Sequence, residues 1–311
     1  MTERLAEGVE WIAVDWGTSR LRAWAMRGET ALAEASSGQG MGRLDRAGFE
    51  PALLSLIAPW LGSGRMPVIA CGMVGSRQGW AEAPYRAVPC RPLAAALVAA
   101  PAADPRLELH IVPGLKQAAP PDVMRGEETQ IAGFLRRQPA FDGVLCLPGT
   151  HSKWARISAG EVVSFLTCMT GDLFAAIAGH TVLRHSVGTE EQGDDEAFLH
   201  AVEETLSRPE RLAARLFGLR AEALLQGLGP GAARSRLSGY LIGAELAASR
   251  AYWLGQDLAI IGAPGLAALY ETALRGQGVA PRRADAGAMT LAGLAGAHAI
   301  AAGHKTREEP R

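Results

Sequence analysis

The chain has 311 residues, enough for about two domains, and its 48% hydrophobic and 20% charged composition supplies substantial buried cores and excludes a disordered chain. Lysine and arginine number 31 against 32 acidic residues, a formal charge of -1 that gives no electrostatic basis for wholesale binding to nucleic acid or an acidic membrane. An anionic ligand must therefore be met by local groups.

Residues 9–14 and 21–26 read as strands, with 31–35 a third before the polar turn 36–42, so the chain opens as a meander. Helical spacing over 44–61 is followed by a strand at 66–71, another at 107–112, and a helix over 127–137. Near residue 142 the pattern restarts: a strand at 143–147, a polar turn at 148–152, and strands at 153–157 and 162–166. The two copies lie about 135 residues apart and form an internal repeat. Residues 190–236 look mainly helical and interrupt the second half as an insertion outside its sheet. A helix over 237–255, a strand at 258–261, and helices over 266–275 and 288–302 complete the pattern, with a charged tail at 303–311 expected to fray. Cys71, Cys90, Cys146 and Cys168 are widely separated and never spaced as CxxC, which predicts reduced structural thiols without zinc or disulfides. The polar start, and the lack of an apolar run of about 18 residues, lead us to expect a cytoplasmic protein with no membrane span.

Asp15 ends the first strand, and the turn Gly17-Thr18-Ser19 points backbone N–H groups and two hydroxyls into one small space. Asp15 adds a carboxylate able to hold hydrated Mg2+, a combination that suits a nucleoside triphosphate. An ordinary hairpin would use the same residue types to satisfy its turn. The second turn, Leu147-Pro148-Gly149-Thr150-His151-Ser152-Lys153-Trp154, mirrors the first with Gly149, two hydroxyls and the cationic Lys153. Two such turns could grip one phosphate chain. Between them, Arg125-Gly126-Glu127-Glu128-Thr129-Gln130 places carboxylates at a helix start, where one can take a proton from an acceptor hydroxyl or merely complement the helix dipole. Gly75, Ser76, Arg77 and Trp80 suggest a sugar-acid pocket, with Arg77 pairing a carboxylate and Trp80 covering a carbon chain; a solvated surface loop is the alternative. Gly262 and Gly265 join a strand to a helix where an adenine could lie. There is no GxGxxG spacing at 38–42, no Walker A segment, no HExxH pair and no nucleophilic triad. His151 and His185 are the histidines of interest.

Residues 15–24, 72–80, 121–133, 147–154, 167–172 and 237–246 together resemble the 2-dehydro-3-deoxygalactonokinase family, sugar-acid kinases of the actin, hexokinase and Hsp70 ATPase superfamily. The most specific pieces are Gly72-Met73-Val74-Gly75-Ser76-Arg77-Gln78-Gly79-Trp80, Met124-Arg125-Gly126-Glu127-Glu128-Thr129-Gln130 and the second turn. The resemblance implies an α/β fold of two ribonuclease-H-like domains around an interdomain cleft. Residues 1–140 would form the domain with the sugar-acid pocket, lined by Gly75, Ser76, Arg77, Trp80 and Arg125. Residues 141–311 would carry the ATP site and the helical insertion near 190–236. It further implies ATP and Mg2+ as cofactors, with Asp15 as catalytic and metal residue. Gly17, Thr18, Ser19, Gly149, Thr150, His151, Ser152, Lys153, Gly262 and Gly265 would hold the nucleotide. The implied reaction moves the γ-phosphoryl to the C6 hydroxyl of 2-dehydro-3-deoxy-D-galactonate, a step of galactonate breakdown that precedes aldol cleavage. The proton acceptor maps to Glu127 or Glu128, with Asp172 in reserve. Many superfamily members carry an aspartate where this chain has Leu147-Pro148, which leaves the metal mainly to Asp15 and phosphate oxygens. The rival readings are a kinase for another aldonic or deoxy-keto acid, and a sensor that binds ATP and a sugar acid without transfer. A polyphosphate hydrolase is less favoured because no basic channel is evident. The expected partner is a small sugar acid, not nucleic acid or membrane, and a homo-oligomer is left open.

Overall fold

The structure is a computed structural model describing residues 8–189 and 193–308. The chain opens with strands β1 (Trp11–Trp16), β2 (Leu21–Arg27) and β3 (Thr30–Ser37), then helix α1 (Phe49–Ile57) and strand β4 (Met66–Gly72). Five strands follow: β5 (Arg86–Ala87), β6 (Val98–Ala100), β7 (Leu107–Ile111), β8 (Leu115–Gln117) and β9 (Asp122–Met124). Helix α2 (Glu127–Arg137) then leads to β10 (Gly143–Leu147), β11 (Ser152–Ser158) and β12 (Glu161–Cys168). Helices α3 (Thr170–His180), α4 (Asp195–Ser207), α5 (Leu212–Leu225), α6 (Pro230–Ala248) and α7 (Arg250–Trp253) come next. Strand β13 (Leu258–Gly262), helix α8 (Pro264–Arg275), strand β14 (Arg282–Asp285) and helix α9 (Ala286–Glu308) close the chain.

Two compact units result. The first takes the chain through Phe141 together with Ser158–Ser164 and the stretch from Ala286, and the second comprises Asp142–Ile157 and Phe165–Asp285. In the first, a six-stranded sheet has the order β3-β2-β1-β4-β7-β6. β1 is antiparallel to β2 and parallel to β4, which is parallel to β7. The apolar run of β1 is covered on both faces, as a continuous hydrophobic strand requires. Ile12, Val14 and Trp16 pack with Phe49 and Leu53 of α1, while Trp11 and Ala13 pack with Leu294 and Ala297 of α9. Trp11 also stacks on His298, with ring centroids 4.4 Å apart.

The five-stranded sheet β12-β11-β10-β13-β14, with its centre in the second unit, repeats the plan of β3-β2-β1-β4-β7. β10 is antiparallel to β11 and parallel to β13, which is parallel to β14. The repeat expected from the sequence is therefore present as strand order. Val144, Cys146, Trp154 and Ile260 of this sheet bury against Phe198 of α4, Leu246 of α6 and Tyr270 of α8. Strands β5, β8 and β9 form a small third sheet.

Several elements depart from the sequence expectation. The helix expected over 44–61 is confined to α1, because Asp45 turns back to accept from Gly48 N at 2.9 Å and a short 3-10 turn containing Pro59 follows. Helix α3 and strand β14 were not anticipated. Residues 195–236 are mainly helical as expected, and α4 buries Phe198, Val202 and Leu206 in the cluster that includes Val144 and Ile260; residues 190–192 lie outside the described residues. The closing helix runs from Ala286 to Glu308, longer than 288–302, and takes in most of the tail expected to fray; 309–311 lie outside the described residues. Its Ala286–Gly303 stretch has a mean hydropathy of 1.3 over 18 residues, long and apolar enough by composition to cross a membrane, contrary to the sequence expectation. Leu294, Ala295 and Ala297 of that stretch are buried against Trp11 and Ile69. All four cysteines are free thiols.

Candidate active site

In the first unit, the parallel strands β1 and β4 end side by side, Asp15 opposite Cys71 and Trp16 opposite Gly72. The carboxyl ends of parallel strands are where α/β sheets leave a crevice for ligands. Asp15 is held there by Arg22, with Nη2 2.5 Å from Oδ2, while Cys71 Sγ lies 3.8 Å from Oδ1. Burial, then the charges of Asp15 and Glu128, push the Cys71 thiol well above its usual range, so it stays protonated.

The turn after β1 is closed by Gly17 N donating to Arg20 O at 2.9 Å, and Thr18 and Ser19 are exposed on it. A bracket from residues 39–42 holds it. Trp16 Nε1 donates to Gln39 O at 2.9 Å, Met41 N to Gly17 O at 3.0 Å, and Gly42 N to Thr18 O at 2.9 Å. A Cβ on Gly40 would fall on the Ser19–Arg20 peptide, so only glycine lets the bracket close. The sequence reading missed this role, having set 38–42 aside for lacking a dinucleotide-type spacing; the glycine density beside a phosphate-type turn was the available signal.

Helix α2 begins against the end of β4, where the Cβ position of Gly126 is 3.4 Å from Gly72 Cα. Glu127 Oε2 accepts from Arg125 N at 3.0 Å, and Glu128 Oε2 accepts from Gly126 N at 2.7 Å. Thr129 Oγ1 donates to Glu128 Oε1 at 3.1 Å. Glu128 is completely enclosed, and burial, reinforced by the Glu127 charge, pushes its pKa up to about 8. Glu127 is partly exposed.

Of the residues expected to meet a sugar acid, Gly75 and Arg125 come together, the Cβ position of Gly75 lying 2.8 Å from Arg125 Nη1, and Ser76 follows Gly75 in the chain. Arg77 is exposed, and its carbonyl accepts from Arg46 Nη2 at 3.1 Å. Trp80 differs from expectation. Its indole is buried in the core edge-on to Trp16, and its N–H is already given to Pro101 O at 2.8 Å.

In the second unit, Gly149, Thr150 and His151 form the accessible part of the turn. The head of α3 braces it. Asp172 N donates to Thr150 O at 2.9 Å, and a Cβ on Gly171 would fall on Gly149 O. His151 Nε2 and Asp172 Oδ2 are 3.7 Å apart and both half-exposed. Ser152 and Lys153 belong to β11 and are buried; Ser152 was expected in the turn and Lys153 at the start of the returning strand. Ser152 Oγ lies 2.8 Å from Tyr270 OH, and Lys153 Nζ donates to Thr167 Oγ1 at 2.9 Å. Gly262 faces the turn from β13, its Cβ position 3.1 Å from Pro148 Cγ. A cavity of about 610 Å3 is lined by Gly149, Thr170, Phe174, Arg234, Gly265 and Tyr270, among others. Its size suits a nucleoside, and it unites the second turn with the Gly265 junction. Beneath it the buried Glu245, a residue unremarked in the sequence, accepts from Trp154 Nε1 at 2.8 Å, from Tyr270 OH at 2.7 Å and from Thr170 Oγ1. Burial raises its pKa against the opposing effect of these donors. His185 is exposed and lines no part of the cavity.

Among the described residues, no group of three or more His, Cys, Asp or Glu side chains could cage a metal. A single partly exposed carboxylate such as Asp15 fits magnesium, which keeps several waters and binds through one or two carboxylates plus substrate phosphates.

Repeated strand order, with a braced polar turn at the end of each central strand, defines an actin-like ATPase and sugar-kinase fold. The activator of the 2-hydroxyisocaproyl-CoA dehydratase from Clostridium difficile, with bound ADPNP, shares this fold at a TM-score of 0.51 and 11% identity, covering 97% of this chain and 98% of that one. The chain belongs to the 2-keto-3-deoxy-galactonokinase family, whose model matches residues 15–297. It is a sugar-acid kinase. It is 41% identical over 291 residues to a Rhizobium meliloti (strain 1021) protein named as a probable 2-dehydro-3-deoxygalactonokinase, covering 92% of this chain and 95% of the relative. Identity to the 2-dehydro-3-deoxygalactonokinase of Escherichia coli (strain K12) is 33% over 271 residues, covering 86% and 90%. A crystal structure from Sinorhizobium meliloti, assigned to the same kinase, superposes with a TM-score of 0.85 at 40% identity, covering 93% and 95%.

Proposed function

We infer that the protein transfers the γ-phosphoryl group of ATP to the 6-hydroxyl of 2-dehydro-3-deoxy-D-galactonate, giving 2-dehydro-3-deoxy-6-phosphogalactonate and ADP. The family match across residues 15–297 carries this reading. Each unit is taken as a ribonuclease-H-like domain, which the shared strand order supports, and α4 and α5 as the insertion of the second.

Backbone N–H groups and hydroxyls of Gly149 and Thr150 bind phosphate oxygens of ATP, with His151 beside them, and those of Gly17, Thr18 and Ser19 offer the same chemistry to a phosphate group in the first unit. The nucleoside occupies the cavity at Gly149 and Gly265. Magnesium, when bound, neutralises charge on the phosphates, and Asp15 is the side chain that holds it through its hydration shell. Glu127 takes the proton of the acceptor hydroxyl. Of the two glutamates it is the one that solvent reaches, whereas Glu128 is enclosed and keeps its own proton at neutral pH. The sugar acid lies against the loop that carries Gly75 and Ser76. ADP release with a panel of epimeric 2-dehydro-3-deoxy sugar acids tests the substrate: turnover should be highest with the galacto epimer, and a clear preference for another acid would reassign it within the class.

A further inference from the structure

Arg125 stands out among the buried charges of the first unit. It is only 9% exposed, and a guanidinium cannot shed its proton to escape burial. Nη2 donates to Ala83 O at 2.8 Å, and Cζ lies 4.2 Å from the centroid of the Tyr85 ring. Nε and Nη1 are buried with no hydrogen-bond partner, and no carboxylate of the described residues forms an ion pair with the group. A second orphan follows Gly75 in the chain: Ser76, 6% exposed, has no partner for its Oγ. Gly75 connects the two, since its Cβ position is 2.8 Å from Arg125 Nη1. Buried cations and hydroxyls without partners are costly and rare, and an anion that accepts from both resolves them together. Exposed Arg77 and Gln78 follow Ser76 directly, so the loop meets solvent at this point.

We propose that Arg125 and Ser76 anchor the carboxylate of the sugar acid, in place of the exposed Arg77. This rests on the sugar-acid kinase reading above and adds which end of the substrate goes where. Arg125 N donates to Glu127 Oε2, so the arginine side chain spans from the proposed proton acceptor to the anchor. That is the scale of the acid's own carbon chain, and it sets the carboxylate at one end and the reacting hydroxyl at the other. A neutral sugar of the same length would leave the guanidinium unpaired, which is how the site selects acids.

The test uses the full-length protein with Ser76→Ala and Arg125→Lys. Loss of a hydrogen bond to a charged group predicts a roughly tenfold or larger rise in KM for the acid with Ser76→Ala. A larger rise is expected for Arg125→Lys, with KM for ATP unchanged in both. Unchanged acid KM in both variants, with the wild type active, overturns the anchor and leaves the kinase reading intact. Should the wild type fail to phosphorylate the acid, the failure belongs to that reading, and a short 2-oxo acid such as pyruvate judges the anchor alone. Pyruvate should then raise the melting temperature of the wild type but not of Arg125→Lys; an equal rise in both, or none in either, rejects the anchor.

Discussion

Replacing Glu128 with glutamine isolates the enclosed carboxyl at the head of α2. Burial, with the Glu127 charge added, raises its pKa from 4.5 to about 8. A carboxyl with a raised folded-state pKa keeps its proton in the fold while the unfolded chain gives its own up. Its contribution to stability is therefore whole below its unfolded pKa of 4.5 and is lost as pH climbs through the folded value near 8. Between pH 5 and 7 the loss is about 3 kcal/mol, at roughly 1.4 kcal/mol per pH unit. Glutamine can accept from Gly126 N in the same way but does not titrate. Urea unfolding followed by tryptophan fluorescence, run on both proteins across this range, reports the difference with all other titrating groups cancelled. The wild type should lose about 3 kcal/mol relative to Glu128→Gln on going from pH 5 to 7. A flat difference would refute the enclosure of this group and return Glu128 to consideration as an ionised proton acceptor.

Asp15→Asn should lower kcat by roughly a hundredfold or more, as expected for removing a charge aimed at the transferred group. Its melting temperature should barely move, because a partly exposed pair with Arg22 adds little stability; near-normal turnover would remove Asp15 from the site. Gly171→Ala must displace Gly149, so KM for ATP should rise while the protein still folds, and unchanged ATP saturation would detach α3 from the nucleotide turn. Glu245→Ala leaves the Trp154 and Thr170 donors without their acceptor and Tyr270 with Ser152 alone. At about 1–3 kcal/mol for each buried orphan, it should cost at least about 2 kcal/mol in chemical denaturation, and a loss under about 1 kcal/mol would show that the network relaxes.

Much of the architecture was legible because its signals are local. The apolar runs of β1, β2, β10 and β11 and the polar turns between them showed the repeat directly, and α2 occupies the predicted span, with glutamates in its first turn and arginines in its last. Helix α3 escaped because it is short and half-buried: Phe174, Ile177 and Ala178 pack against the core at helical spacing, but only Thr170 is fully buried and Leu173 is exposed. β14 reads Arg-Arg-Ala-Asp and is a strand by virtue of pairing with β13, a long-range fact absent from its own composition. The site was less legible for the same reason. Ser152 looks like a turn residue and Lys153 like an available cation beside it until Tyr270 and Thr167, distant in sequence, claim them. Trp80 looked like a sugar platform until Pro101 and Trp16 enclosed it. Residue type named the chemistry, and tertiary neighbours decided which copies of it face a ligand.

The most direct trial incubates the purified protein with ATP, magnesium and 2-dehydro-3-deoxy-D-galactonate and follows the acid by mass spectrometry and phosphorus NMR. The account predicts one added phosphoryl group, esterified at C6, formed in step with ADP. ADP appearing without a phosphorylated acid, or a phosphate placed on another hydroxyl, would contradict it.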